Sequence, residues 1–201
     1  MDRPILNPPE IARALQTPAA ASSDFDLNPG FRPPPGRRLR PASVLVPLVE
    51  RGGGLRLILT RRAALLRHHP GQVAFPGGKQ DPEDPTPLAA ALREAREEIG
   101  LAMERVEVLA RLPDYHTRTG FRVAPVVGLV TPPLALVPDP REVEEVFEVP
   151  LAFLLDPGNH RRETRELQGR TAGYYVMRYG TYTIWGATAG MLMNLYRHLA
   201  E

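Results

Sequence analysis

The sequence predicts an α/β fold, and three observations predict it. SVLVPLVE and LRLILTRR, on either side of Gly52–Gly54, read as a β-hairpin, being short apolar runs broken by glycines. Leu88, Leu92, Ala95 and Ile99 recur at i, i+4, i+7 and i+11, the stripe of an amphipathic helix that packs on a core. Further strands follow that helix, and a second helix closes the chain.

In chain order, PPEIARALQ opens with prolines suited to a first helical turn and sets Ile11, Ala14 and Leu15 on one side. The stretch from Thr17 to Pro41 is rich in Pro, Ala, Ser and Arg and has no periodicity, so it is expected to wrap over the domain or a partner subunit. The boundary is therefore drawn between an extension, residues 1–41, and a domain, residues 42–201. After the hairpin, which carries Arg61 and Arg62 to its end, comes a loop with Arg67, His68 and His69. QVAF then reads as an apolar strand entering a turn at Gly77 and Gly78. Glycine backbone there can approach a phosphate or point a carbonyl at a metal.

The helix over residues 87–99 has Thr86 as N-cap, Pro87 at its first position and Gly100 as its stop. Glu94 and Glu98 flank the apolar stripe, and Glu97 points further out. Like charges at this spacing weaken a helix unless something compensates. Arg93 and Arg96 on a solvated face are one answer, and a divalent cation held by oxygen ligands is the other. VEVLARLPDYHT and FRVAPVVGLV read as two strands joined by RTG, Val143–Val149 as another, LAFLLD as a short helix, and YYVMRY and TYTIWG as strands leading into the helix ATAGMLMNLYRHL. Met191, Leu192, Leu195 and Leu199 form that helix's apolar stripe.

Composition narrows the function classes. A chain of 201 residues has room for one domain with a substantial core. The lack of cysteine excludes disulfides, thiolate metal sites and cysteine nucleophiles. No apolar run reaches a membrane span and no signal-peptide core opens the chain, so the expected compartment is the cytoplasm and no membrane partner is expected. The net charge of +2 is too small to argue for nucleic acid, and GRRLR at residues 36–40 lacks an aromatic platform. Only Lys79 of the 25 basic residues is lysine, a bias that suits phosphate recognition but that base composition also produces.

Gly78, Asp84, Arg93, Glu94, Ala95, Glu97, Glu98, Gly100 and Leu101 resemble the Nudix box, with Asp84 in place of the first glutamate and one extra residue before Arg93. The preceding run, from Leu57 to Gly78, resembles the signature of the coenzyme A pyrophosphatase branch of that superfamily. The residues carrying this second resemblance are Leu59, Thr60, Arg62, Ala63, Arg67, Gly71, Phe75, Pro76, Gly77 and Gly78. That branch tends to carry Asp and the longer spacing, so both departures from the box agree with it. Weaker resemblances, at Gly120-Phe121 and in Ile184-Trp185-Gly186, extend the likeness over residues 42–199.

The resemblance implies an α/β/α sandwich with a mixed sheet between helices. It also implies hydrolysis of the coenzyme A diphosphate to 4′-phosphopantetheine and adenosine 3′,5′-bisphosphate, with Mg²⁺ or Mn²⁺. By carry-over, Glu94 and Glu98 are the first metal ligands, Glu97 the next and the Gly78 carbonyl a further one. Glu97, Glu98 and Arg93 form the catalytic set, with Arg93 better placed to orient a carboxylate than to touch substrate. Arg62 and Arg67, with Gly77 and Gly78, are expected to bind the substrate phosphates. The general base is left open among Glu97, Glu142, Glu144 and Glu145, and a homodimer is left open too. The rival readings are another Nudix activity, on ADP-ribose, NADH or a dinucleoside polyphosphate, a non-catalytic nucleotide sensor, and an RNA-binding role.

Overall fold

In the computed structural model, the described residues are 7–17, 22–34, 36–167 and 169–200. They form α1 (Pro8–Ala14), β1 (Ser22–Ser23), β2 (Arg40–Arg51), β3 (Gly54–Arg62), β4 (Val73–Ala74), β5 (Gly77–Lys79) and α2 (Pro87–Ile99). These are followed by β6 (Val106–Arg111), β7 (Tyr115–His116), β8 (Phe121–Val130), β9 (Val143–Pro150), α3 (Leu151–Leu155), β10 (Arg161–Leu167), β11 (Arg170–Tyr179), β12 (Tyr182–Trp185) and α4 (Gly186–Ala200). Residues 18–21 and 35 of the expected wrapping segment lie outside the described residues.

A mixed sheet forms the centre. β2 runs parallel to β8 from Arg40 beside Phe121 to Val49 beside Val130, and antiparallel to β3 through the hairpin, Leu48 to Arg51 against Leu57 to Gly54. Away from the hairpin turn, β2 and β3 part company. The chain from Val73 to Lys79 fills the opening: Ala74 pairs with Thr60 of β3, the Pro76 carbonyl accepts from the Leu45 amide, and Gly77–Lys79 pair with Ala42–Val44 of β2. β9 covers the far side of β3, and β6 and β7 pair with β8. A separate antiparallel sheet, β10–β11–β12, packs on α4.

Alternation along β2 divides two cores. Leu45 and Val49 face α2, where Ala91, Ala95 and Ile99 meet Ile58, Val126 and Val130. Val46 and Leu48 face the other way, toward α1, α3 and α4, with Ile11, Leu154, Leu192 and Leu195. This is a sheet between helices, the α/β arrangement expected.

The structure corrects four expectations in detail. QVAF is a strand only at Val73–Ala74, because β4 spans just the width of the opening between β2 and β3. Gly77 and Gly78 are not a free turn but the start of β5. VEVLARLPDYHT is broken after Arg111 and resumes as β7. The α2 face in contact with the core is centred on Ala91, Ala95 and Ile99, with Leu88 and Leu92 at its margin. Sequence reading also missed β10, RRETREL, whose charged, exposed residues show no alternation; it is held by pairing along its whole length with β11.

Candidate functional site

Helix α2 starts as its sequence requires: the Thr86 hydroxyl accepts from the Ala89 amide, and Gly100 ends it with a φ of 67°. Its Glu94 and Glu98 face the inserted chain of β4 and β5. Glu98 is 3% exposed, and its Oε2 accepts a 3.0 Å hydrogen bond from the Gly77 amide. Glu94 lies against Gly78 so closely that a Cβ there would stand 2.5 Å from Oε1. A Cβ at Gly77 would strike the Ser43 carbonyl and Val44, and its φ of 154° disfavours other residues. The two glycines thus let two carboxylates and a β-strand share one place.

Arg62 reaches the same place from the end of β3, with Nη1 3.8 Å from Glu98 Oε1. The pairing of β3 with β9 shifts register between Arg61 and Arg62, and such a bulge re-aims side chains. Arg61 turns to the other acidic residues, with Nη2 3.2 Å from Glu144 and 2.9 Å from Glu145. Tyr182 also donates to Glu145. Glu142, whose carbonyl accepts from Ala63 next to Arg62, is the one of the three that bears electrostatically on both Glu94 and Glu98. Sequence spacing does not distinguish these three glutamates; in the structure Arg61 pairs with Glu144 and Glu145.

Arg93 occupies the opposite edge of the site. Its Nε and Nη2 bind Asp84 at 3.1 and 2.9 Å, its Nη1 lies 3.2 Å from Glu94 and 2.9 Å from Glu97, and Nη2 also donates to the Lys79 carbonyl. Glu97 is largely exposed and meets only this arginine among the described ion pairs. Arg67 is exposed and has no hydrogen bond or ion pair among the described residues, so the structure does not bring it to the carboxylates. Of the expected residues, then, Gly77, Gly78, Arg62, Arg93, Glu94, Glu97 and Glu98 are contiguous and Arg67 stands apart.

The electrostatics follow burial. Desolvation pushes the Glu98 carboxyl up to about 7, against the opposing effects of the Gly77 amide and Arg62. Burial raises Glu94 too, and the neighbouring carboxylates Glu97 and Glu142 add to it. Asp84 moves the other way, because its hydrogen bonds from Arg93 favour the charged form. Four carboxylates, Asp84, Glu94, Glu97 and Glu98, share only two guanidiniums, Arg62 and Arg93, which is the environment a divalent cation fits. No group of three or more carboxylate or imidazole ligands forms a complete cage among the described residues. That suits an ion bound through one or two carboxylates, with water and substrate phosphate filling the remaining positions.

The comparisons with known proteins agree with this geometry. Residues 39–168 match the NUDIX domain family. An uncharacterized Nudix hydrolase NudL of Klebsiella pneumoniae subsp. pneumoniae is 45% identical over 168 residues, covering 82% of this chain and 87% of that protein. Its namesake from Photorhabdus laumondii is 41% identical over 167 residues, covering 81% and 89%. A crystal structure of a MutT/nudix family protein from Enterococcus faecalis matches in fold, with a TM-score of 0.52 and 15% identity over 84% of this chain and 65% of that one. The chain belongs to the Nudix family. It is a hydrolase acting on a nucleoside diphosphate derivative. No described helix is long and apolar enough to cross a membrane.

Proposed function

We propose that this hydrolase cleaves the diphosphate of coenzyme A or its derivatives, releasing 4′-phosphopantetheine and adenosine 3′,5′-bisphosphate. The observation that carries the reading is that the run from Leu57 to Gly78 and the box helix converge on one point: Arg62 and Gly77 both approach Glu98, and Gly78 lies against Glu94. A signature whose residues were scattered over unrelated surfaces would have carried nothing.

Glu94 and Glu98 would hold Mg²⁺ or Mn²⁺, with Glu97 and the Gly78 carbonyl as further ligands. Bound there, the ion supplies charge neutralisation of the diphosphate and acidifies a coordinated water. Arg93 holds Glu94 and Glu97 in place by charge-assisted hydrogen bonds while Asp84 holds Arg93. Arg62 offers a guanidinium to a substrate phosphate at the mouth of the site. Arg67 is exposed on the loop that follows β3 and would reach the 3′-phosphate as substrate enters. Glu142 is the assigned general base, being the glutamate of β9's approach that is not committed to Arg61.

Product analysis with coenzyme A, ADP-ribose and NADH in parallel, each with and without Mg²⁺ or Mn²⁺, tests the proposal. Metal-dependent release of adenosine 3′,5′-bisphosphate, faster than turnover of the other two, is the expected result. Faster turnover of ADP-ribose or NADH would overturn the coenzyme A assignment and leave the hydrolase standing. For Arg67→Ala, KM should rise more for coenzyme A than for 3′-dephospho-coenzyme A; an equal change removes the 3′-phosphate role.

A further inference from the structure

We propose that the chain has a second binding site, for a phosphomonoester with an apolar body, in a cleft of about 950 Å³ bounded by the end of α1, the approach to β2, the β6–β7 junction and the end of α4. None of the residues assigned to hydrolysis lines it, and it does not depend on the coenzyme A reading. Its volume is that of a small-molecule pocket.

Charge selects an anion. Arg38, Arg111 and Arg122 line the cleft against one carboxylate, Asp114. Asp114 Oδ1 lies 2.5 Å from Arg111 Nη2 and Oδ2 3.6 Å from Arg122 Nε, so it holds two guanidiniums side by side without neutralising both. Arg38 makes no ion pair among the described residues. Three arginines less one aspartate leave two positive charges in one cleft of a chain whose total is also +2, a local concentration that matches a phosphate dianion. Guanidiniums bind phosphate through paired N–H donors.

A buried imidazole supplies the second, independent observation. His198, on the last turn of α4, is 7% exposed, and its Nδ1 lies 2.9 Å from the Asn194 carbonyl one turn back. A carbonyl only accepts, so Nδ1 carries a proton and Nε2 is the ring's remaining polar atom. Nε2 makes no hydrogen bond among the described residues, and His198 is one of the residues that line the cleft. It would accept from a phosphate hydroxyl or, once protonated, donate to a phosphate oxygen. Half-buried Leu39, beside the edges of the buried Leu15 and Leu112, gives the cleft a small apolar wall that an apolar ligand body would cover.

The test is isothermal titration of the full chain with phenyl phosphate in EDTA, which keeps divalent ions away from Glu94 and Glu98, with histidine ¹⁵N resonances recorded alongside. Saturable one-site binding is expected, shifting the histidine whose signals vanish in His198→Gln, together with His116, which also lines the cleft, and persisting in Glu98→Gln. Arg38→Ala removes an exposed side chain that the fold does not use and should weaken binding by about tenfold. Unchanged affinity in Arg38→Ala, or loss in Glu98→Gln instead, would overturn the proposal. Phenylacetate binding as tightly as phenyl phosphate would overturn the phosphate assignment.

Discussion

Two carboxylates beside α2, Asp84 in the loop before it and Glu98 in its last turn, are treated in opposite ways. On the Arg93 side, Asp84 receives two hydrogen bonds from a guanidinium, and its carboxyl sits below its ordinary range. On the buried side, Glu98 has one amide donor and a guanidinium 3.8 Å away, and its carboxyl rises to about 7. The first arrangement is complete in itself and acts as a clamp. The second is short of positive charge, so it is the one with free energy to gain from a cation. Acidic residues in a motif are therefore not equivalent ligands; burial and prior partners sort them.

The largest effect expected from this contrast is on rate. Glu98→Gln should lower kcat by about 10³-fold or more, while the metal-free protein keeps or gains thermal stability because a buried charge is removed. A large loss of stability with little loss of rate would reverse the assignment. Next, Glu142→Gln should slow turnover by about 10²-fold, as removal of a general base does, whereas Glu144→Gln should leave it within about a factor of three. Equal effects in steady-state assays would break the distinction drawn by Arg61.

Smaller effects belong to the clamp and to pH. Asp84→Asn leaves Arg93 with a neutral partner and should cost about 1–2 kcal/mol in urea unfolding, with Glu97→Gln costing less because that pair is exposed. For Glu98, a folded value of about 7 exceeds the 4.5 of the free side chain, so the native state holds the proton more tightly. Its contribution is fully present below about pH 4.5 and is lost as pH rises through about 7, by at most about 3 kcal/mol in the metal-free protein. Mg²⁺ displaces that proton, so the rise in Tm on adding Mg²⁺ should grow between pH 5 and 7.5. A Tm increment independent of pH would mean that Glu98 is not a ligand.

The sequence by itself determined the helix α2 with both its ends, because Thr86, Pro87 and Gly100 act through local backbone geometry. It also determined the β2–β3 hairpin, the short helix after Val149 and the cluster Gly77, Gly78, Arg93, Glu94 and Glu98, since periodicity and motif spacing are properties of neighbours along the chain. Only the tertiary structure decided what those neighbours meet. That β2 and β3 separate to admit Val73–Lys79 depends on pairings across the sheet, and no local pattern records it. The same is true of β10, which is mostly charged and exposed and is held by β11 beside it. Glu142 was indistinguishable from Glu144 and Glu145 until a register shift turned Arg61 toward the latter two. Local conformation is a short-range property of the chain, but desolvation and charge pairing are set by whatever the fold brings into contact, and the roles proposed for the carboxylates rest on these two effects.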